Sequence, residues 1–127
     1  MERVAIVTAL VLAEYLVIVW LTGQSRGRHG VPAPSMTGDV AFERWARVQG
    51  NTVEQLVVFL PALWLFAMYV SELWACVLGL VFFVGRALFA RGYAEDPAKR
   101  GPGFMLTLGA NMILTLGALI GATLAAF

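Results

Sequence analysis

The sequence predicts an all-α membrane protein, a four-transmembrane-helix bundle, and three observations predict it. Of 127 residues, 60% are hydrophobic and 13% charged, against about 45–50% and about 25% in ordinary soluble domains, and the mean hydropathy is +0.78. So few polar side chains cannot cover a water-facing surface, which leaves the bilayer as the solvent. Second, four apolar segments, Val4–Thr22, Leu56–Val70, Leu73–Ala90 and Phe104–Phe127, are each near the roughly 20 residues a helix needs to cross. Third, the basic residues collect in two places: Arg26, Arg28, Arg44, Arg47, Arg86, Arg91, Lys99 and Arg100 all fall in or beside the first and third connections. The length allows one domain, residues 1–127, with helices expected over 4–22, 40–70, 73–93 and 97–126.

In the first helix, Glu2 and Arg3 precede an apolar run from Val4 to Leu21. That run outlasts the ~7–15 residues of a signal-peptide core and lacks a small-residue cleavage site followed by a soluble domain, so it reads as a spanning helix. Glu14 is the deepest charge in the chain, and an acid at mid-bilayer is by default a functional candidate. Its structural reading is a buried hydrogen bond, across a contact between subunits or to Asn111 of the fourth helix. The connection GQSRGRHGVPAPSMTGDVA is polar and rich in Gly and Pro, and is expected to be a loop. His29 stands there without cysteine or acidic neighbours at ligand spacing, so no metal is expected.

The second helix opens with FERWARVQGNTVEQ and runs into a stretch without charge from Leu56 to Val70. At helical pitch Arg44, Arg47, Asn51 and Glu54 wind onto one face within about 100°. Ser71 and Glu72 alone join helices two and three, which forces an antiparallel hairpin. The third helix ends GRALFARGY, with Arg86, Phe89 and Tyr93 again on one face. Asp96 and Pro97 are expected as N-cap and first residue of the fourth helix, placing Arg100 in its first turn, near the positive end of its dipole. Cys76 lies in an apolar run; as the only cysteine it excludes an internal disulfide and reads as a small packed hydrophobe.

A net charge of +1 gives no general attraction to nucleic acid, and no phosphate-cradling Gly-rich loop follows a strand. The positive-inside rule puts the first and third connections in the cytoplasm and both termini on the other side. Arg44, Arg47, Arg86 and Arg100 would then converge as a cationic mouth suited to clamping carboxylates. The competing reading makes these arginines anchors that snorkel to lipid phosphates and Glu54 a structural ion-pair partner. The interleaving of Arg47 with Asn51 and Glu54 favours a site, because anchors require neither an amide nor an acid among them.

FERWARVQGNTVEQLVVFLPALWLF, with its pattern Arg47-x3-Asn51-x2-Glu54, resembles the hallmark region of the MAPEG family, the membrane-associated proteins of eicosanoid and glutathione metabolism. A second block, Arg86-x2-Phe89-x2-Gly92-Tyr93 followed by Arg100, matches at the family spacing, and the likeness extends over essentially the whole chain. The resemblance implies a microsomal glutathione S-transferase-like homotrimer of four-helix subunits. Glutathione would be the co-substrate at each subunit interface, near the cytoplasmic end, with no metal. Carried over residue by residue, Arg47, Asn51, Glu54 and Tyr93 would hold glutathione in one subunit, Arg26 and Gln49 would reach it from the neighbour, and Arg100 would activate the thiol. Arg44 and Arg86 would add positive charge. Phe89 stands where several eukaryotic members carry a glutathione-contacting tyrosine, and Gln55 where some carry another, so those hydroxyls are missing here.

The residue inventory suits that ligand: two carboxylates call for arginines, an amino group for an acid, and peptide groups for amide partners. A thiol of pKa ~8.5 is mostly protonated at neutral pH, and a guanidinium beside it favours the nucleophilic thiolate. The partner substrate would be a lipophilic electrophile arriving from the lipid, with conjugation, peroxide reduction and isomerisation all open. Two further readings stay open: a non-catalytic scaffold of the same family that binds lipophilic ligands, and a small proton-coupled multidrug transporter using Glu14.

Overall fold

Capping side chains set where two of the four α-helices and a 3-10 turn begin. The computed structural model describes residues 1–127, with α1 over Glu2–Arg28, α2 over Val40–Tyr69, α3 over Glu72–Glu95 and α4 over Gly101–Ala126, a 3-10 turn at Pro97–Arg100 leading into α4, and no strand. The Asp39 carboxylate accepts from the Phe42 N–H at 3.1 Å and starts α2; Ser71 Oγ accepts from the Trp74 N–H at 3.2 Å and starts α3. Each side chain satisfies one of the orphan donors of a helix start. Asp96 accepts from the Ala98 N–H at 3.0 Å, but what it caps is the 3-10 turn. Arg100 therefore ends that turn, and α4 proper begins at Gly101.

The first connection is shorter than its composition implies. The Gly-rich stretch expected to be loop from Gly23 onward is helical through Arg28. Gly23 and Gly27 each cost about 1 kcal/mol relative to Ala in a helix, but the packing of this extension on α2 overrides them. Thr22 and Ser25 are buried, and Thr22 Oγ is within 3.2 Å of the Trp45 carbonyl. The exposed Gln24 and Arg28 carry the helix out of the apolar zone.

All four helices are long and apolar enough to cross a membrane. Val4, Val7 and Val11 of α1 close on Phe59, Leu63 and Phe66 of α2, Phe82 of α3, and Leu114 of α4. Phe59 and Phe82 stack with ring centroids 3.9 Å apart. α3 and α4 approach so closely at Gly103 that a Cβ there would overlap the backbone of Phe89 and Gly85. Only 28 of 127 residues are buried, and the outer face carries Val57 at 71% exposure and Leu124 at 76%. An apolar outside of this extent is soluble only in hydrocarbon, so the chain is an integral, multi-pass membrane protein.

The bundle has two chemically distinct ends. At one, the amino terminus lies 3.4 Å from Glu72 Oε1, beside the two-residue link between α2 and α3, and Gly121 of α4 packs on the backbone of Tyr69. Both termini therefore lie at this end. The other end holds the long first connection, the 3-10 turn and nearly all of the arginines.

Candidate functional site

Below the basic end a second small core forms, with Ile18 of α1, Val48 of α2, and Phe89 and Ala90 of α3 buried together and Trp45, Tyr93 and Phe104 packed on it. This core is the floor of a cavity of about 370 Å³ lined by Arg47, Asn51, Phe89, Tyr93, Arg100 and Phe104. Three parts of the chain build it. Helical pitch brings Arg47 and Asn51 to the same side of α2 and does the same for Phe89 and Tyr93 on α3; the rings of the latter pair stack at 5.6 Å. Arg100 returns to them because the chain doubles back tightly after α3. A Cβ at Gly92 would stand 2.6 Å from the Lys99 carbonyl oxygen, so glycine is what lets that strand of turn lie against the helix.

The cavity wall is rich in donors. Arg47 and Arg100 carry donors only, the Tyr93 hydroxyl donates or accepts, and no carboxylate lines the space. Arg100 is fixed by donating from Nη1 to the Pro97 carbonyl at 2.9 Å, and it stands at the N-terminal end of α4, where the helix dipole adds positive potential. Glu54 sits at the rim, 4.0 Å from Arg47 Nη1, with both side chains more than half exposed. This is an open ion pair with little energetic weight, and it leaves both groups available to a ligand. The whole arrangement is a cationic, donor-rich mouth with one acid at its edge.

Several candidate residues stand elsewhere. Arg44 donates from Nη1 to the Glu95 carbonyl at 2.9 Å, so it binds the negative end of the α3 dipole and borders a neighbouring polar recess with Glu43, Arg47 and Tyr93. Arg86 is no part of the mouth: it is 0% exposed, and its Nη2 donates to Asn51 Oδ1 at 2.9 Å and to Thr52 Oγ at 2.8 Å. Of the four arginines expected at the mouth, two thus remain on the cavity wall. Arg26 folds back on its own loop, donating to the Ser35 carbonyl at 2.7 Å and lying over the Phe42 ring. Gln49 is half-buried and Gln55 lies on a different face from the cavity.

Gln55 corrects another expectation. Its side-chain oxygen accepts from Asn111 Nδ2 at 2.9 Å, so Asn111 ties α4 to α2 and makes no bond to Glu14. The Glu14 oxygens are enclosed without a hydrogen-bond partner in the chain. Sequence reasoning missed Phe104 and Thr52. Phe104 follows Arg100 by one helical turn, a spacing that could have drawn it into the site; Thr52 carries no such signal. No cluster of three His, Cys, Asp or Glu side chains forms.

Along α2 and α4, away from this mouth, runs an apolar groove of about 480 Å³ lined by residues such as Val57, Pro61, Leu65 and Leu119. A shallower recess at Gln55, Leu108 and Asn111 continues it. It contains no charged group and opens on the outer, lipid-facing surface.

The family comparison agrees with this geometry. The MAPEG family model matches residues 4–120. An uncharacterized protein of Synechocystis sp. is 48% identical over 116 residues, covering 91% of this chain and 85% of its own length. Microsomal glutathione S-transferase 2 of Mus musculus is 35% identical over 117 residues, covering 92% of this chain and 80% of that protein. Leukotriene C4 synthase of Cavia porcellus is 32% identical over 102 residues, covering 78% and 68%. A match that begins in α1 and ends in α4, joined to relatives aligned over the same four helices, establishes that the chain belongs to the MAPEG family.

Proposed function

We propose that this chain is a membrane glutathione transferase that joins the glutathione thiolate to a lipophilic electrophile. The observation that carries the reading is the convergence of Arg47, Asn51, Tyr93 and Arg100 on one donor-lined cavity, in a family whose members here include a glutathione S-transferase. Arg47, Asn51 and Tyr93 take the carboxylate and peptide oxygens of glutathione, and Glu54 at the rim takes its ammonium group. Residues 1–127 act as one four-helix subunit of a homotrimer, with Arg26 and Gln49 reaching the ligand of the neighbouring subunit. Arg26 must then leave the Ser35 carbonyl. The basic end faces the cytoplasm, as the positive-inside rule requires, and both termini face away from it.

Arg100 lowers the barrier to reaction by stabilising sulfur as the anion. The thiol proton passes to solvent, the sulfur lone pair forms a C–S bond to the electrophilic carbon, and the leaving group departs with the electrons of its bond to that carbon. With an aryl chloride the products are the thioether, chloride and one proton, so the step balances without an oxidant. The lipophilic substrate comes by the lipid side, where the groove between α2 and α4 supplies an apolar path that reaches the Gln55 level, one turn from Asn51.

A proton-coupled transporter of lipophilic cations built on Glu14 fits the structure less well. The Glu14 oxygens are enclosed, and the buried guanidinium of Arg86 in the same bundle repels a cationic substrate.

The test is Arg100→Leu. Glutathione still binds, within about tenfold of wild type, while the ultraviolet absorbance of bound thiolate disappears and turnover of a generic aryl halide falls by about 100-fold, the loss expected for one positioned electrostatic group. Wild-type turnover in this variant would remove Arg100 from the reaction. Binding without turnover in the wild type would point to the scaffold role.

A further inference from the structure

Arg86 presents an unusual problem, a guanidinium with no exposed surface inside a helix that crosses hydrocarbon. A buried charge survives only with partners, and those partners lead to the cavity. Nη2 donates to Asn51 Oδ1 at 2.9 Å and to Thr52 Oγ at 2.8 Å, and Thr52 Oγ in turn donates to the Val48 carbonyl at 2.7 Å. The guanidinium carbon lies 4.3 Å from the centroid of Phe89. Asn51 and Phe89 both show their other side to the cavity, so one arginine supports two elements of its wall from behind. Arg86 Nε and Nη1 have no hydrogen-bond partner in the chain, so Nη2 makes both of its bonds.

Because guanidinium nitrogens donate and never accept, the contact decides which way the Asn51 amide points. Its carbonyl oxygen is held inward, and the NH2 group, which bonds to nothing else in the chain, is left for the cavity. The reverse flip would set NH2 against N–H and lose the bond.

We propose that Arg86 is a positioning residue that locks the Asn51 amide with its NH2 toward the cavity. Asn51 thereby adds a donor beside Arg47 and Arg100, and that part of the wall selects the carboxylate and carbonyl oxygens of the bound thiol peptide over its ammonium group. This rests on the glutathione reading above. Thr52 anchors Arg86 in turn, since its own proton is committed to Val48 and its oxygen is free to accept.

The experiment is a double-mutant cycle read by equilibrium binding of glutathione to the full chain in detergent, with thermal melting and steady-state turnover on the same samples. Arg86→Gln and Asn51→Ala each weaken binding by about tenfold, the size of one lost hydrogen bond to a charged group. The double variant binds no worse than Asn51→Ala, because without the amide there is nothing for Arg86 to orient. Arg86→Lys, whose ammonium still donates to Oδ1, recovers part of the loss, and the turnover number of saturated enzyme stays within about twofold because Arg100 is untouched. Additive losses, or a lower melting temperature with unchanged affinity, would overturn the positioning role. Should Arg86→Gln fail to fold, the cycle between Arg86→Lys and Asn51→Ala is read by the same additivity criterion. If wild-type protein does not bind glutathione, the ligand reading itself fails and takes this inference with it; wild-type binding with an additive cycle defeats the inference alone.

Discussion

Arg47 and Arg100 are the two guanidinium groups left on the cavity wall once Arg44 is committed to the Glu95 carbonyl and Arg86 to Asn51. Their division of labour follows from position. In the proposed reaction Arg47, on the outer wall beside Glu54, grips the ligand, while Arg100, at the head of α4, acts with the helix dipole on the thiolate. Arg47→Ala is expected to weaken glutathione binding by at least tenfold with little change in the turnover number, the reverse of the Arg100 pattern; equal loss in both parameters for both variants would merge their roles. Arg47 is more than half exposed, so affinity should also fall steadily as salt is raised from 0.01 to about 0.5 M, over which the Debye length shrinks from about 30 Å to a few ångströms. Salt-independent affinity would place the ligand elsewhere. Spacing placed Arg44, Arg47, Asn51 and Glu54 on one face and Arg86, Phe89 and Tyr93 on another, since helical periodicity says which side chains share a face. It set Arg86 at the mouth with them, and wrongly, because only the neighbouring helix shows that this side chain turns inward to Asn51 and Thr52.

At the scale of elements, the site depends on how closely α3 and α4 approach. Gly103 faces the backbone of Phe89, and Phe89 is part of the cavity wall. Gly103→Ala should therefore push the two helices apart, costing about 1–3 kcal/mol as overpacking and weakening glutathione binding, measured as a lowered melting temperature together with a raised dissociation constant. A variant that melts like wild type would show that the contact is looser than described. At the opposite end, Ser71 caps α3, and Ser71→Ala should cost about 1 kcal/mol of stability while leaving glutathione affinity unchanged, because the cap is a bundle length away from the cavity. The capping role of Asp96 was legible in the sequence, although what it caps is the 3-10 turn ahead of α4. The extension of α1 to Arg28 was not, because the glycines at 23 and 27 signal a break locally while the contact that preserves the helix, Thr22 on Trp45, comes from another element.

The whole molecule is a thin-walled bundle whose outer face is apolar and whose donor-lined cavity lies at one end. Composition and four apolar segments sufficed for the bundle, because hydrocarbon permits few architectures. The account has Arg26 leaving its own loop to serve a neighbour, so cross-linking in native membranes should give a species of three 13.8 kDa chains, and a monomer would leave Arg26 and Gln49 without a role. A cysteine placed at Ser35 should be labelled by a membrane-impermeant reagent only from the cytoplasmic side, and one placed at Ser71 only from the other; the opposite result inverts the topology.

The central claim is that donors from α2, α3 and the start of α4 together hold one anionic thiol peptide. Isothermal titration of glutathione into the purified protein in detergent tests it most directly. The account predicts saturable binding that Arg47→Ala abolishes or weakens by at least tenfold. Heat that never saturates, or saturable binding indifferent to that substitution, would contradict it.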